Sequence, residues 1–482
     1  MAVLNTLQPT SFFHYFEEIT QIPHGSGDID RISDYLVEFA QKHHLFYLQD
    51  EMKNVIIKKP ASPGYENAPV VILQGHMDMV CAATADSLHD FKKDPLKLYI
   101  DGDWVRAKNT TLGGDDGAAI AYALAILESD TILHPALEVV ITVDEEIGLL
   151  GASGLDMSAL DGRIMINLDS EEEDCLIAGC AGGVRSESRI PIQYTEMEGY
   201  GCRLVLDGLK GGHSGGDIDK MHGNAALLMG RFLYELRNQM EYGLCEWNSG
   251  AQDNAIPCRA EAYILIDEGN RDLLLQTVQS YEETLRRIYR ETDGDMHLCV
   301  EFEGHQIQPA LHPASFTKVL FLMMQIPSGI QKMSGDIIGM PETSLNPGIV
   351  SLQPEVFSVH CCIRSSFETE KRAVADKIAF LTEFLGGECI LSGDYPGWEF
   401  VKDSQLREVC VKAYETLFGK TMRVDLIHAG LECGIFAAAL PGLDCVSFGP
   451  DMQDIHTVNE RLSISSVQRV WDLLQEVLKN IH

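Results

Sequence analysis

The sequence predicts an α/β fold: a domain with a central mixed sheet flanked by helices, interrupted by an inserted α+β domain. Three observations carry this. Apolar, β-branched runs at Val70–Val80 (VVILQGHMDMV), Leu137–Val143 (LEVVITV) and Arg163–Leu168 (RIMINL) read as strands buried on both faces. Helical stretches alternate with them. From about Val184 the texture shifts to more regularly alternating strands with long amphipathic helices, and it returns to the first texture near residue 393. The expected domains are 1–183 with 393–482, and 184–392 inserted between them.

In chain order, residues 9–22 and 28–43 read as amphipathic helices, the second following the His24-Gly25-Ser26-Gly27 turn. Asn54–Lys58 is a short strand, and Pro60–Pro69 a turn-rich connection to the Val70–Val80 strand. Leu98–Ala107 reads as a hairpin with Asp101-Gly102 at its tip. It leads into TTLGGDDG, residues 110–117, and an alanine-rich helix over Ala118–Glu128. Strands at 137–143 and 163–168 end in Asp144-Glu145-Glu146 and in Asp169.

In the inserted stretch, helices are expected at 224–240, 272–290, 315–325 and 371–385. Strands are expected near 259–266 and 297–303, and Ile349–Ile363 reads as a strand pair or one long strand. The last part carries helices at 404–418 and 428–440, a strand at Asp444–Phe448, an exit loop containing His456, and a closing helix.

Composition narrows the function classes. The chain has 37 basic and 72 acidic residues, a net charge of −35, which repels nucleic acid and anionic membrane. Its thirteen cysteines are dispersed without zinc-knuckle spacing or disulfide-scaffold density, as in reduced thiols of a cytosolic protein. No run reaches the roughly 18 uninterrupted apolar residues that a membrane helix needs, and the N-terminus lacks a basic region followed by an apolar core. The expectation is a soluble, cytoplasmic protein, with the Asn109-Thr110-Thr111 sequon incidental and a homodimer left open.

Chemistry collects where strands end. His76, Asp115, Glu145, Glu146, Asp169 and His456 all sit at strand exits or in the loops after them, where open α/β sheets bind ligands. Two imidazoles with several carboxylates suit zinc, manganese or cobalt better than magnesium. There are ligands enough for two divalent ions if Asp115 bridges and each ion takes one histidine and one further carboxylate. A shared water between them would be activated for attack on a carbonyl. Of the adjacent Glu145 and Glu146, one can ligate while the other serves as general base. Asp78 can orient His76 through its far nitrogen.

The motifs GHMDMV, TLGGDDGAAIA, VDEEIGLLGA, NLDSEE, GGHSGG, DNAIP and IHTVNERLSI, in order and spacing, resemble the aminoacyl-histidine dipeptidases. These are the Xaa-His or cytosol nonspecific dipeptidases within the dinuclear zinc dipeptidase and aminoacylase family. The likeness covers nearly the whole chain.

The resemblance implies hydrolysis of small dipeptide substrates by metal-activated water and two divalent metal ions, zinc foremost, with manganese or cobalt as alternatives. It pairs His76 with Asp169 and Glu146 with His456, with Asp115 shared, and makes Glu145 the base. It implies that His213 stabilises the oxyanion from a lid that closes over the site, that Asn254 and Arg364 hold the substrate carboxylate, and that backbone from Gly430 to Glu432 lines the pocket. One departure is GGDDG, where relatives often carry Asp-Asn. Asp115 is taken as the bridge and Asp116 as a helix cap.

Three other readings compete. Gly212-His213-Ser214-Gly215-Gly216 fits G-x-S-x-G, which would make Ser214 a nucleophile, although no oxyanion loop is evident upstream. The same two-metal site could serve N-acyl amino acids, because fold and metals set the reaction type and not the substrate. A non-catalytic binding protein would have no need of Glu145. His24, His134 and His428 are read as structural.

Overall fold

The computed structural model describes residues 3–482, and the chain divides into two compact units. The first runs up to Cys180 and resumes over Trp398–Leu426 and Leu431–His482; the second is Ala181–Gly397 with Ile427–Gly430. The division thus falls at 181 and 397, against the expected 184 and 392, and the short 427–430 segment joins the second unit.

An eight-stranded mixed sheet forms the centre of the first unit, in the order Phe46–Gln49, Val55–Lys59, Leu137–Thr142, Val71–His76, Ile164–Asn167, Asp444–Ser447, Cys175–Cys180, Arg423–Ile427. The four middle strands are mutually parallel, and Val55–Lys59 joins them antiparallel. Every residue of Val71–His76 and Leu137–Thr142 is buried. That accounts for their largely apolar sequences, because helices cover both faces of a parallel sheet and neither face is turned to solvent.

The helix assigned to Gly114–Glu128 is buried from Gly114 to Leu127, which its alanine-rich, all-round apolar sequence permits. Phe12 of the Thr10–Ile19 helix packs on its Tyr122, with ring centroids 4.4 Å apart. The Tyr122 hydroxyl donates to the carbonyl of Val467 in the closing helix Ile464–Lys479, at 2.9 Å. A separate four-stranded sheet pairs the Leu98–Asp101 and Trp104–Ala107 hairpin with Arg461–Ser463 and Met452–Gln453.

The second unit is built on a nine-stranded antiparallel sheet backed by helices Ala225–Leu236, Arg271–Ile288, Pro313–Gln325 and Glu368–Phe384. Trp247, Phe232 and Phe357 are fully buried in its core.

Several expectations change in detail. Ile349–Ile363 is a strand pair, Pro341–Leu352 with Val356–Ser365. The 297–303 strand extends to Leu311, and the 428–440 helix begins only at Glu432. The strands Phe46–Gln49 and Cys175–Cys180 were not anticipated. The first is an edge strand of only four residues, with its Phe46 and Leu48 exposed.

Candidate metal centre

Because four neighbouring strands run parallel, their carboxyl ends open on one side of the sheet, and the polar residues that follow them converge there. His76 is the last residue of its strand and is register-paired with Thr142, three positions ahead of Glu145. Asp169 follows the neighbouring strand by two residues. His456 sits in the turn between Met452–Gln453 and Arg461–Ser463.

Asp115 stands between the two imidazoles. Its Oδ1 lies 3.0 Å from His76 Nε2 and its Oδ2 2.9 Å from His456 Nε2. Asp169 Oδ1 lies 3.8 Å from His76 Nε2, and Glu146 Oε1 3.0 Å from His456 Nε2. The ligand-type atoms of Asp115, Glu146 and His456 all fall within 4.8 Å of one another, as do those of His76, Glu145 and Glu146, and of His76, Asp116 and Asp169.

The last grouping brings in Asp116, but its carboxylate is already committed to main chain. Oδ2 accepts the His76 N–H at 3.2 Å and Oδ1 accepts the Ala119 N–H at 3.2 Å, which caps the helix. Regular helical backbone starts only after Asp116, whose φ and ψ, like those of Asp115, are non-helical. Gly75 admits this packing, since a Cβ there would lie 2.4 Å from Asp116 Oδ2.

Asp78 acts differently from the expectation. His76 Nδ1 engages the backbone carbonyl of Asp78 at 2.9 Å, and the carboxylate Oδ1 is further off at 3.4 Å. The carboxylate instead accepts from Ser26 Oγ at 2.8 Å and from the main-chain N–H groups of Glu145 and Glu146 at 3.0 and 3.4 Å. It therefore fixes the turn that carries both glutamates as well as the ring of His76.

The donor set fits divalent cations. His456 Nε2 faces two carboxylate oxygens at hydrogen-bond distance, and one N–H cannot point at both. Glu146 Oε1 is buried, and despite its 3.0 Å approach to that nitrogen it makes no hydrogen bond of acceptable geometry. A cation coordinated by all three groups satisfies what a proton cannot.

The electrostatics agree. Burial pushes the Glu145 carboxyl up to about 8, with Glu432, Glu146 and Asp115 adding to it, and raises Asp116 and Asp169 well above the usual range. The adjacent carboxylates of Asp115 and Glu146 lift His456 to about 10. Burial opposes the charged form of Asp115, yet the two imidazoles hold it below the ordinary carboxylate range. So much buried negative charge calls for positive charge among it, from protons or from metal.

Two carboxylates at this centre lay outside the expected ligand set. Glu432, fully buried, accepts from Gln74 Nε2 at 2.5 Å and Thr142 Oγ1 at 2.6 Å, and its Oε1 has no partner. Glu460 accepts from three consecutive main-chain amides of the loop before Asp115. Glu460 lies inside the quoted IHTVNERLSI motif and Glu432 ends the 430–432 stretch, but their partners are side chains of two neighbouring strands and bare backbone, which no local pattern reveals.

The second unit gathers its own polar cluster. His213 Nε2 is 3.2 Å from Arg364 Nη2, and Arg364 Nη1 donates to the Tyr395 hydroxyl at 3.1 Å. Arg364 is buried and its Nε has no partner. His213 pairs in register with Ala255, next to Asn254, whose carbonyl accepts the Ser214 N–H at 2.8 Å. Gly430 abuts the Tyr395 ring, where a Cβ would lie 2.8 Å from it. His428, buried, bonds Ser344 Oγ at 2.7 Å. Ser214 Oγ is buried without a hydrogen-bond partner, so it lacks the base a serine nucleophile requires.

Residues 72–480 match the description Peptidase family M20/M25/M40. The chain belongs to that family. This M20 peptidase is a hydrolase of peptide bonds. It is 38% identical over 483 residues to the cytosol non-specific dipeptidase of Escherichia coli strain K12, covering 100% of this chain and 99% of that protein. The crystal structure of aminoacylhistidine dipeptidase from Vibrio alginolyticus superposes with a TM-score of 0.91 at 36% identity, covering 99% of this chain and 98% of that one. A tripeptidase from Staphylococcus aureus shares the fold at a TM-score of 0.56 and 15% identity, covering 98% and 99%. Among the described residues, no helix of the M20 peptidase is long and apolar enough to cross a membrane.

Proposed function

We propose that this chain is a cytoplasmic, dinuclear metal-dependent dipeptidase. Its substrates would be dipeptides with a free C-terminal carboxylate, aminoacyl-histidine dipeptides such as carnosine among them. The observation that carries the metal reading is Asp115 presenting one oxygen to each of two imidazoles. The full-length likeness to a cytosol non-specific dipeptidase and to an aminoacylhistidine dipeptidase supports the substrate class and the compartment.

His76 and Asp169 would hold one ion, Glu146 and His456 the other, with Asp115 shared. Bound there, zinc, or manganese or cobalt in its place, would polarise the scissile carbonyl and lower the pKa of the attacking water. Glu145 is the group that moves the proton. Its carboxylate takes the proton from water and returns it to the leaving amine, and Asp78 holds the residue in place through its main-chain N–H.

For substrate holding, Arg364 and Asn254 would grip the terminal carboxylate, and Gly430 would leave room for it. His213 Nδ1 accepts the Gly216 N–H at 3.0 Å, and burial and Arg364 lower its pKa, so the neutral ring carries hydrogen on Nε2. That N–H and Arg364 Nη2 are then two donors facing each other, an arrangement that a negatively charged oxygen relieves. The same N–H suits His213 for stabilising the oxyanion.

The test is a substrate panel of dipeptides, carnosine included, beside N-acyl amino acids and N- or C-blocked dipeptides. Cleavage of free dipeptides and loss of activity on C-terminal amidation is the expected result. Preference for N-acyl amino acids would overturn the substrate assignment.

A further inference from the structure

Glu460 lies four residues beyond His456, at the entry to the Arg461–Ser463 strand, and it is buried. Its two oxygens take three successive main-chain amides: Oε2 accepts from Leu112 at 2.7 Å and Gly113 at 3.2 Å, and Oε1 from Gly114 at 2.7 Å. The residue after Gly114 is Asp115. One side chain on the His456 loop therefore closes a concave row of amides immediately ahead of the carboxylate that faces both imidazoles.

The loop is shaped for this contact. Gly113 has φ +69°, a left-handed conformation that glycine adopts without penalty, and it turns its N–H toward the same oxygen as its neighbour. A Cβ on Gly114 would lie 3.3 Å from Glu460 Oε1 and 3.1 Å from Met452 Sδ, so the close approach leaves little space for a side chain.

We propose that Glu460 is a positioning residue for the shared metal carboxylate. By clasping the 112–114 backbone to the His456 loop it sets the separation of Asp115 and His456, two groups more than 300 positions apart in the chain that must meet one ion together. The clasp acts on metal holding through Asp115 and does not itself touch the cations or substrate. This inference rests on the two-metal reading above.

A carboxylate is required because all three partners are donors. Glu460→Gln keeps the shape but turns an NH2 toward at least one amide, leaving two like donors opposed. Glu460→Asp keeps the charge but is one methylene too short to meet all three. Leu474→Ala, a buried core position of the closing helix that makes no hydrogen bond to the loop, serves as the control for plain loss of stability.

The experiment measures zinc bound per chain for the full-length protein across a series of chelator-buffered free zinc concentrations, with a thermal melt of each metal-free protein. The wild type is expected to bind two ions. Glu460→Gln and Glu460→Asp should melt as folded proteins and require about ten to a hundred times more free zinc to fill the site, the scale seen when ligand-orienting groups are removed. Leu474→Ala should lower the melting temperature and leave zinc binding unchanged. Wild-type zinc affinity in both Glu460 variants overturns the proposal, and so does an equal weakening in Leu474→Ala. A wild type that binds no zinc overturns the two-metal reading beneath it and is recognised from that sample alone.

Discussion

Oδ2 of Asp115 lies 2.9 Å from Nε2 of His456, although the two residues are 341 positions apart. The other oxygen of the same carboxylate reaches His76 at 3.0 Å, so a single aspartate ties together the end of a central strand and a loop near the chain's close. Replacing it by asparagine removes the charge and one of two acceptor oxygens while keeping the size. Asp115→Asn is expected to bind fewer than two ions per chain and to lose at least about a hundredfold in kcat. Metal analysis and steady-state kinetics on the same preparation check both.

Glu145 is separable from metal holding. Glu145→Gln should retain the metal content of the wild type and lose about 10² to 10⁴ in kcat, the range that general-base catalysis contributes. Undiminished turnover in that variant would mean that another group takes the proton.

The buried charge gives a pH dependence of defined sign. Glu145 is raised to about 8 and Glu432 to about 7, chiefly by burial, and Asp116 and Asp169 are raised as well. His456 is raised to about 10 by its carboxylate partners. Each group holds its proton more tightly folded than unfolded. Through these groups the metal-free protein loses stability as pH rises from about 5 to about 8. His24, His134, His213 and His428, lowered by burial, act in the opposite sense below about pH 6.5 and lie outside the zinc-dependent part. Asp115 and Asp78 are lowered and have the opposite sign, but their contribution changes only below about pH 4. Metal replaces these protons, so the gain in Tm on adding zinc should grow with pH across that window. Calorimetry with and without zinc reads it directly; a gain that shrinks with rising pH contradicts the arrangement.

The first unit's core can be weakened without touching the centre. Phe12 packs against Phe13, Phe16 and Tyr122 and is fully buried. Phe12→Ala should cost about 3–5 kcal/mol of stability by denaturant unfolding. Zinc affinity of the folded protein should stay within about twofold.

Much of the centre was legible because its chemistry lies at the ends of apolar strands. Runs such as VVILQGH and LEVVITV announce buried parallel strands, and the polar residues that follow them have to emerge at one edge of the sheet. The less legible part depends on backbone. Asp78 was expected to hold His76 with its carboxylate, yet its carbonyl does so and the carboxylate takes the amides of Glu145 and Glu146. Glu460 likewise bonds only main-chain N–H groups, which every residue but proline carries, so its partners leave no mark in the sequence. The edge strand Phe46–Gln49 is hard to read for a different reason: it has only four residues, and its Phe46 and Leu48 are exposed rather than packed in a core.

The most direct measurement is a titration of zinc into the chelator-stripped protein, with bound ions per chain and dipeptide hydrolysis read from the same samples. Activity that is absent from the stripped protein and rises as binding approaches two ions per chain is the predicted result. Full hydrolysis by protein shown to be metal-free would contradict the two-metal account at its root.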